Sequence, residues 1–216
     1  VLNTCTKDEE ISYETSTVTD VDGNVYKTIK IGDQWWMAEN LYVGIMISSN
    51  SGSDNLKNNG TIEKYCYEND ESNCKTYGGL YQWDEMMQYT EPEGSQGICP
   101  NGWHIPTDAD WDELVNHLGG TSVAGGKLKE SGTTHRDSPN TNGTNESGFT
   151  ALPGGYRYDS DGLFYDLGRF AQFWSSEEDD SFGAFYWHLR YNSSEIDKGP
   201  DYRSLGLSVR CLQDKE

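Results

Sequence analysis

The sequence predicts an α+β domain, and three observations carry that reading. Helix signals cluster between residues 80 and 129, whereas from Phe149 onward short apolar runs alternate with Gly and Asp turns. Hydrophobic residues make up 34% of the chain but aromatic ones 12%, so the core must rest on Trp, Tyr and Phe, which suits strands and ordered loops better than a helical bundle. Beyond Cys5, the cysteines form an even set, Cys66, Cys74, Cys99 and Cys211, the pattern of a disulfide-braced fold. At 216 residues the chain can bury a sizeable core, and residues 17–216 read as one domain behind a polar tether, residues 1–16.

Along the chain, Val18 and Val21 lead into Asp22-Gly23-Asn24, and Val25, Thr28, Ile29 and Ile31 follow before a second turn at Gly32-Asp33. This predicts a hairpin continued by Trp35, Trp36 and Met37. Residues 44–62, rich in Ser, Asn and Gly, read as a long surface loop. Leu80, Trp83, Met86 and Met87 have helical spacing. The clearest helix follows: Thr107 is a good N-cap, Asp108 and Asp110 lie in the first turn, and Trp111, Leu114, Val115 and Leu118 form one apolar stripe that Gly119-Gly120 ends. A shorter amphipathic piece is expected over 123–129 and a polar loop over 131–147. Strands are expected in "FTALPGGYRY", "LFYDLG", "AQFWSS", "AFYWHLRY" and "SLGLSVRCL".

Acidic residues number 36 against 16 basic, a net charge of -20, which repels a phosphate backbone and argues against nucleic acid as a partner. No stretch reaches the roughly 18 apolar residues of a membrane span. Leu2-Asn3-Thr4-Cys5 followed by Lys7-Asp8-Glu9-Glu10 resembles the processed start of a bacterial surface lipoprotein, which implies a lipid anchor on Cys5 and an outer-membrane or secreted location. The other four cysteines allow three connectivities. Cys66 and Cys74 flank the polar segment "CYENDESNC" and can close locally, which leaves Cys99 to reach Cys211; free buried thiols are the alternative.

Six blocks then carry a resemblance: "DGNVYKTIKIGDQWWMAENL", "YGGLYQWDEMM", "GICPNGWHIPTDADWDELVNHLGG", "GFTALPGGYRY", "FWSSEE" and "LGLSVRCL". In order and spacing they resemble the Fibrobacter succinogenes major paralogous domain, over residues 17–213. The resemblance implies a secreted or surface protein, and the C-terminal half is similar to the wider C-type-lectin-like fold. That fold implies two main helices, small mixed or antiparallel sheets, long ordered loops, and a clamp between Cys99 and Cys211. Calcium-dependent lectin chemistry is not implied, because Glu91-Pro92-Glu93 precedes the main helix and no Trp-Asn-Asp occurs. The paired active-site cysteines of formylglycine-generating enzymes are not matched either.

Catalytic motifs are wanting: His104, His117, His135 and His188 share no triad or metal spacing, and Gly-x-Ser-x-Gly is absent. The chain therefore reads as a non-catalytic domain binding an extracellular glycan or surface protein, with no obligatory cofactor. Sugar rings stack on aromatic faces while their hydroxyls meet carboxylates and amides. Residues 156–203 offer that mixture in Tyr156, Tyr158, Asp159, Asp161, Tyr165, Glu177, Asp179, Tyr191, Asn192 and Tyr202. If calcium is held, oxygen chemistry nominates Asp159, Asp161, Glu177, Asp179 and Asp180. A surface-assembly role and a carboxylate hydrolase are the other readings.

Overall fold

The structure, a computed structural model, describes residues 13–179 and 182–215. It is a mixed α+β fold, as expected. In chain order the elements are β1 (Thr15–Thr19), β2 (Val25–Ile31), β3 (Gln34–Met37), β4 (Ile45–Met46), β5 (Glu63–Lys64), α1 (Glu71–Tyr77), α2 (Trp83–Met86), β6 (Trp103–His104), α3 (Asp108–His117) and α4 (Thr121–Leu128). Then follow β7 (Tyr156–Arg157), β8 (Phe164–Tyr165), β9 (Phe170–Glu178), β10 (Gly183–Arg190), β11 (Ile196–Tyr202) and β12 (Leu212–Gln213). One sheet has the order β1-β2-β3-β12-β6 and a second β11-β10-β9, with two-stranded pairs β4-β5 and β7-β8.

The first hairpin forms where the sequence places it, antiparallel with Val18 opposite Tyr26. Its turn is organised by Asp20, whose carboxylate accepts the N–H groups of Asp22 and Asn24 at 3.0 and 2.9 Å and the Tyr26 hydroxyl at 2.7 Å. A short acid that replaces missing strand partners in this way is what fixes such a turn. At the other end of the sheet, β12 pairs with both β3 and β6.

Helix α3 has the capping box its sequence promises: Asp110 N–H donates to Thr107 Oγ1 at 3.2 Å and Thr107 N–H to Asp110 Oδ2 at 2.9 Å. Its stripe packs into an aromatic core in which Trp111 meets Trp36 at 4.8 Å and stacks on Trp187 at 5.8 Å between ring centroids, with Phe149 and Phe173 around it. Trp35 is half-buried, while Trp36, Trp103, Trp111 and Trp174 are core residues.

Two local readings are corrected, and two elements appear that the sequence did not announce. Helix α2 covers only Trp83–Met86, because Leu80 instead bridges Tyr65 in an extended segment. The run "SLGLSVRCL" is no continuous strand; Gly206, Leu207 and Ser208 each bridge a different neighbour, Arg157, Tyr81 and Phe173, so the segment threads between sheets. Helix α1 begins in the polar Cys66–Cys74 segment and runs past it to Tyr77, with Asp70 as its cap accepting Ser72 N–H at 2.8 Å. Strand β11, with Lys198, Gly199 and Pro200, hides its identity because an edge strand tolerates such residues.

Both disulfides form as read, Cys66 to Cys74 and Cys99 to Cys211, which disposes of the free-thiol alternative. Cys5, the expected lipid anchor, lies outside the described residues. Among the described residues no helix is long and apolar enough to cross a membrane.

Two predictions follow from this frame. The clamp closes a segment of 112 residues and the local bridge one of 8, so the chain-entropy model gives about 4.7 against about 2.5 kcal/mol. Replacing Cys99 and Cys211 together by Ala should therefore lower denaturant stability more than replacing Cys66 and Cys74. His104 lies 2.7 Å from Asp214 and 3.4 Å from Asp110; burial opposes its charge, but these carboxylates outweigh it and raise its pKa. Its contribution is then fully present below about pH 6.5 and lost as pH rises through the raised value. His104→Gln should flatten that decline in a denaturation series against pH.

Candidate functional site

The site is built on Arg157, fully buried at the end of β7. Its Nε donates to Ser49 Oγ at 2.8 Å, and its Nη atoms donate to the carbonyls of Ser51, Asp54 and Ser204 at 3.1 to 3.3 Å. The guanidinium lies 4.7 Å over the Tyr65 ring, whose hydroxyl also donates to Asp54 O at 2.6 Å. One side chain thus ties together loop 49–56, the β7–β8 turn and the segment after β11. Ser49 Oγ adds a bond to Gly162 O at 2.7 Å. Close packing completes the seam: a Cβ at Gly162 would fall 2.2 Å from Ser51 O, at a φ of +74° that glycine alone adopts freely.

On this seam stand three phenols. Tyr156, Tyr158 and Tyr165 surround one another with ring centroids 5.8 to 6.5 Å apart, and Tyr158 and Tyr165 keep 42% and 37% of their surface exposed. Asp161 accepts the Tyr165 hydroxyl at 2.7 Å and Leu163 N–H at 2.9 Å, bonds that hold its carboxyl below the usual range and keep it ionised. Asp159 accepts the Ser204 hydroxyl at 2.7 Å.

Ser204 also borders a cleft of about 340 Å³. Phe182 and Tyr202, 74% and 62% exposed, form its aromatic rim together with Tyr89. Acidic groups supply the wall and floor: Asp84, and below it Glu85, which accepts Glu63 N–H at 2.9 Å and the Tyr89 hydroxyl at 2.8 Å. Burial raises both carboxyl pKa values, against the pull of Arg203 at Asp84. Arg203 lies 4.6 Å over the Trp83 ring and pairs with Glu178 at 2.7 Å and more loosely with Asp84 at 3.8 Å. Two larger hollows, about 560 and 660 Å³, flank the β1–β2 side, but none of the ten side chains read as ligand-binding lines them.

Tyr156, Tyr158, Asp159, Asp161 and Tyr165 are thus gathered on one face, and Ser204 links them to the cleft of Tyr202. Asp179 sits in the β9–β10 turn near this cleft, its N–H donating to Gly183 O at 3.1 Å. The remaining nominees lie elsewhere. Glu177 points to the other side of β9, toward buried Asp108 and Lys198; burial first, and then Asp108, raises its pKa. Tyr191 and Asn192 follow β10 at the opposite end of the hairpin, where Arg169 lies 5.8 Å over the Tyr191 ring. At about 3.4 Å per residue along β10, that end is remote from Tyr202.

The five calcium nominees do not converge. Asp180 lies outside the described residues, Asp159 is taken up by the Ser204 hydroxyl, Asp161 by Leu163 and Tyr165 of its own turn, and Glu177 faces away. Among the described residues no three His, Cys, Asp or Glu side chains are placed to hold a metal ion. The sequence reading missed Asp84, Glu85, Tyr89 and Phe182, which converge only through tertiary contacts. The single hint available was the acidic start of the Trp83 helix.

Arg157→Met should leave several carbonyls without a donor and cost about 3 kcal/mol or more. Urea denaturation would measure that loss.

The family model described as the Fibrobacter succinogenes major domain matches residues 29–213. Comparison with curated proteins and with solved structures gives no significant match. Six sequence blocks, now seen as one continuous fold, and a model match over most of the chain place this protein in the Fibrobacter succinogenes major domain family.

Proposed function

We propose that this chain is a non-catalytic, surface-exposed binding domain for an extracellular ligand, with a glycan or polysaccharide as that ligand. The observation that carries the reading is a set of exposed phenols beside carboxylates, with Tyr165 bonded to the ionised Asp161, on a face braced from beneath by Arg157. Tyr158, Tyr165 and Tyr202 offer flat apolar faces for the C–H side of a sugar ring. Asp159, Asp161 and the amide of Asn55, itself fixed by Gln82, offer partners for hydroxyls. Bracing matters energetically, since a site already ordered loses little conformational entropy on binding. A face so constructed suits weak stacking repeated along a polymer.

Presentation on the outer membrane through a lipid on Cys5 belongs to the same proposal. It would hold the domain among extracellular polymers.

A glycan-array screen of the 216-residue chain, run with calcium and with chelator, tests the proposal. Saturable binding is expected, and Tyr158→Ala or Tyr165→Ala should each weaken it by about 5- to 10-fold, the value of one aromatic stacking contact. Silence on the array from folded, disulfide-intact protein would overturn the glycan reading in favour of a surface-protein ligand.

A further inference from the structure

The cleft beside the tyrosine face has a chemistry of its own. Its rim is aromatic, from Tyr89, Phe182 and Tyr202, and its interior is acidic, from Asp84 and Glu85. Arg203 is the cation lining it, and Glu178 and Asp84 both lie against that guanidinium. Three carboxylates to one guanidinium leave the cleft negative. Glu63 adds a further carboxylate close by: its N–H donates to Glu85, and its own carboxylate accepts from neutral donors, Lys57 N–H and Asn59 Nδ2, at 2.8 and 2.7 Å.

From this combination we propose that the cleft binds a protonated amine on a glycan, that is, an amino sugar whose nitrogen is not acylated. A cation placed against π-faces gains electrostatic attraction that a neutral sugar does not. The side chain of Asp84, 54% exposed, is placed to meet the ammonium directly. Glu85, closed off beneath it, contributes field and orients Tyr89 through their 2.8 Å hydrogen bond. A volume of about 340 Å³ lies at the small end of ligand clefts and suits one or two sugar rings. An anionic ligand would be repelled by these carboxylates, so acidic glycans are disfavoured.

The inference rests on the glycan reading, and the experiment separates the two. Chitotetraose and its fully N-deacetylated counterpart would be titrated calorimetrically into the full chain at pH 6, together with a lysine-bearing peptide. The deacetylated oligomer is expected to bind about ten-fold more tightly, with the advantage shrinking as salt rises. In Asp84→Asn the two oligomers should come within about two-fold of each other, whereas Glu113→Gln, the same charge change on the remote face of α3, should keep the preference. Equal affinities in the unmodified chain, or a preference surviving Asp84→Asn, would overturn the amino-sugar assignment and leave the glycan reading standing. Binding of the lysine peptide without either oligomer would overturn the assignment in favour of a protein ligand.

Discussion

Buried cations donating to backbone carbonyls are the interaction on which the rest of this structure depends. Few of the described residues lie in long helices or strands, so many carbonyls enter the interior without a regular partner, and each would cost about 1–3 kcal/mol if left so. Arg157, Arg210, Lys129, Arg136 and Lys64 meet that need. Arg210 serves Met37, Phe149 and Thr150 and also bonds Asn40 Oδ1 at 2.8 Å, while its guanidinium lies 4.2 Å over the Phe149 ring. Lys129 collects the carbonyls of Thr141, Arg190 and Ser193 at 2.6 to 3.1 Å. Arg136 reaches Ala151 O at 2.8 Å, and Lys64 reaches Tyr42 O at 2.6 Å. Burial pushes Lys129 down to about 8 and Arg210 to about 9, a measure of how far these charges are withdrawn from water.

This arrangement also explains the surface. A chain with a net charge of -20 that spends several of its few cations inside presents a still more acidic exterior. The acidic cleft and the carboxylates of the tyrosine face are local expressions of that division. The loops pinned by Arg157 are also the ones beside which Tyr158 and Tyr165 stay exposed.

The two disulfides and the aromatic core divide the remaining work. Cys99 to Cys211 fastens the corner before α3 to the approach of β12. The cluster of Trp36, Trp111, Phe149, Phe173 and Trp187 joins the five-stranded sheet, α3 and the β9–β10 sheet into one interior. A low aliphatic content is therefore no obstacle to a well-filled core, because large rings bury much area per residue.

The sequence by itself determined the α+β class, the first hairpin, the capped helix α3, the aromatic core and both disulfides. Each of these rests on local chemistry: Asp-Gly turns, the Thr107–Asp110 box, a stripe at helical spacing, and cysteines whose spacing favours one pairing. It also picked out Tyr156, Tyr158, Asp159, Asp161 and Tyr165 together, since they lie within ten residues of one another. Only the tertiary structure decided that Tyr202 faces Asp84, Glu85, Tyr89 and Phe182, and that Glu177, Tyr191 and Asn192 lie elsewhere. It alone revealed Arg157 as the brace. The physical reason is that strand alternation sends Glu177 and Glu178 to opposite sides of one sheet, while the carbonyl partners of buried Arg157, up to 106 residues from it in sequence, share no sequence pattern that marks them.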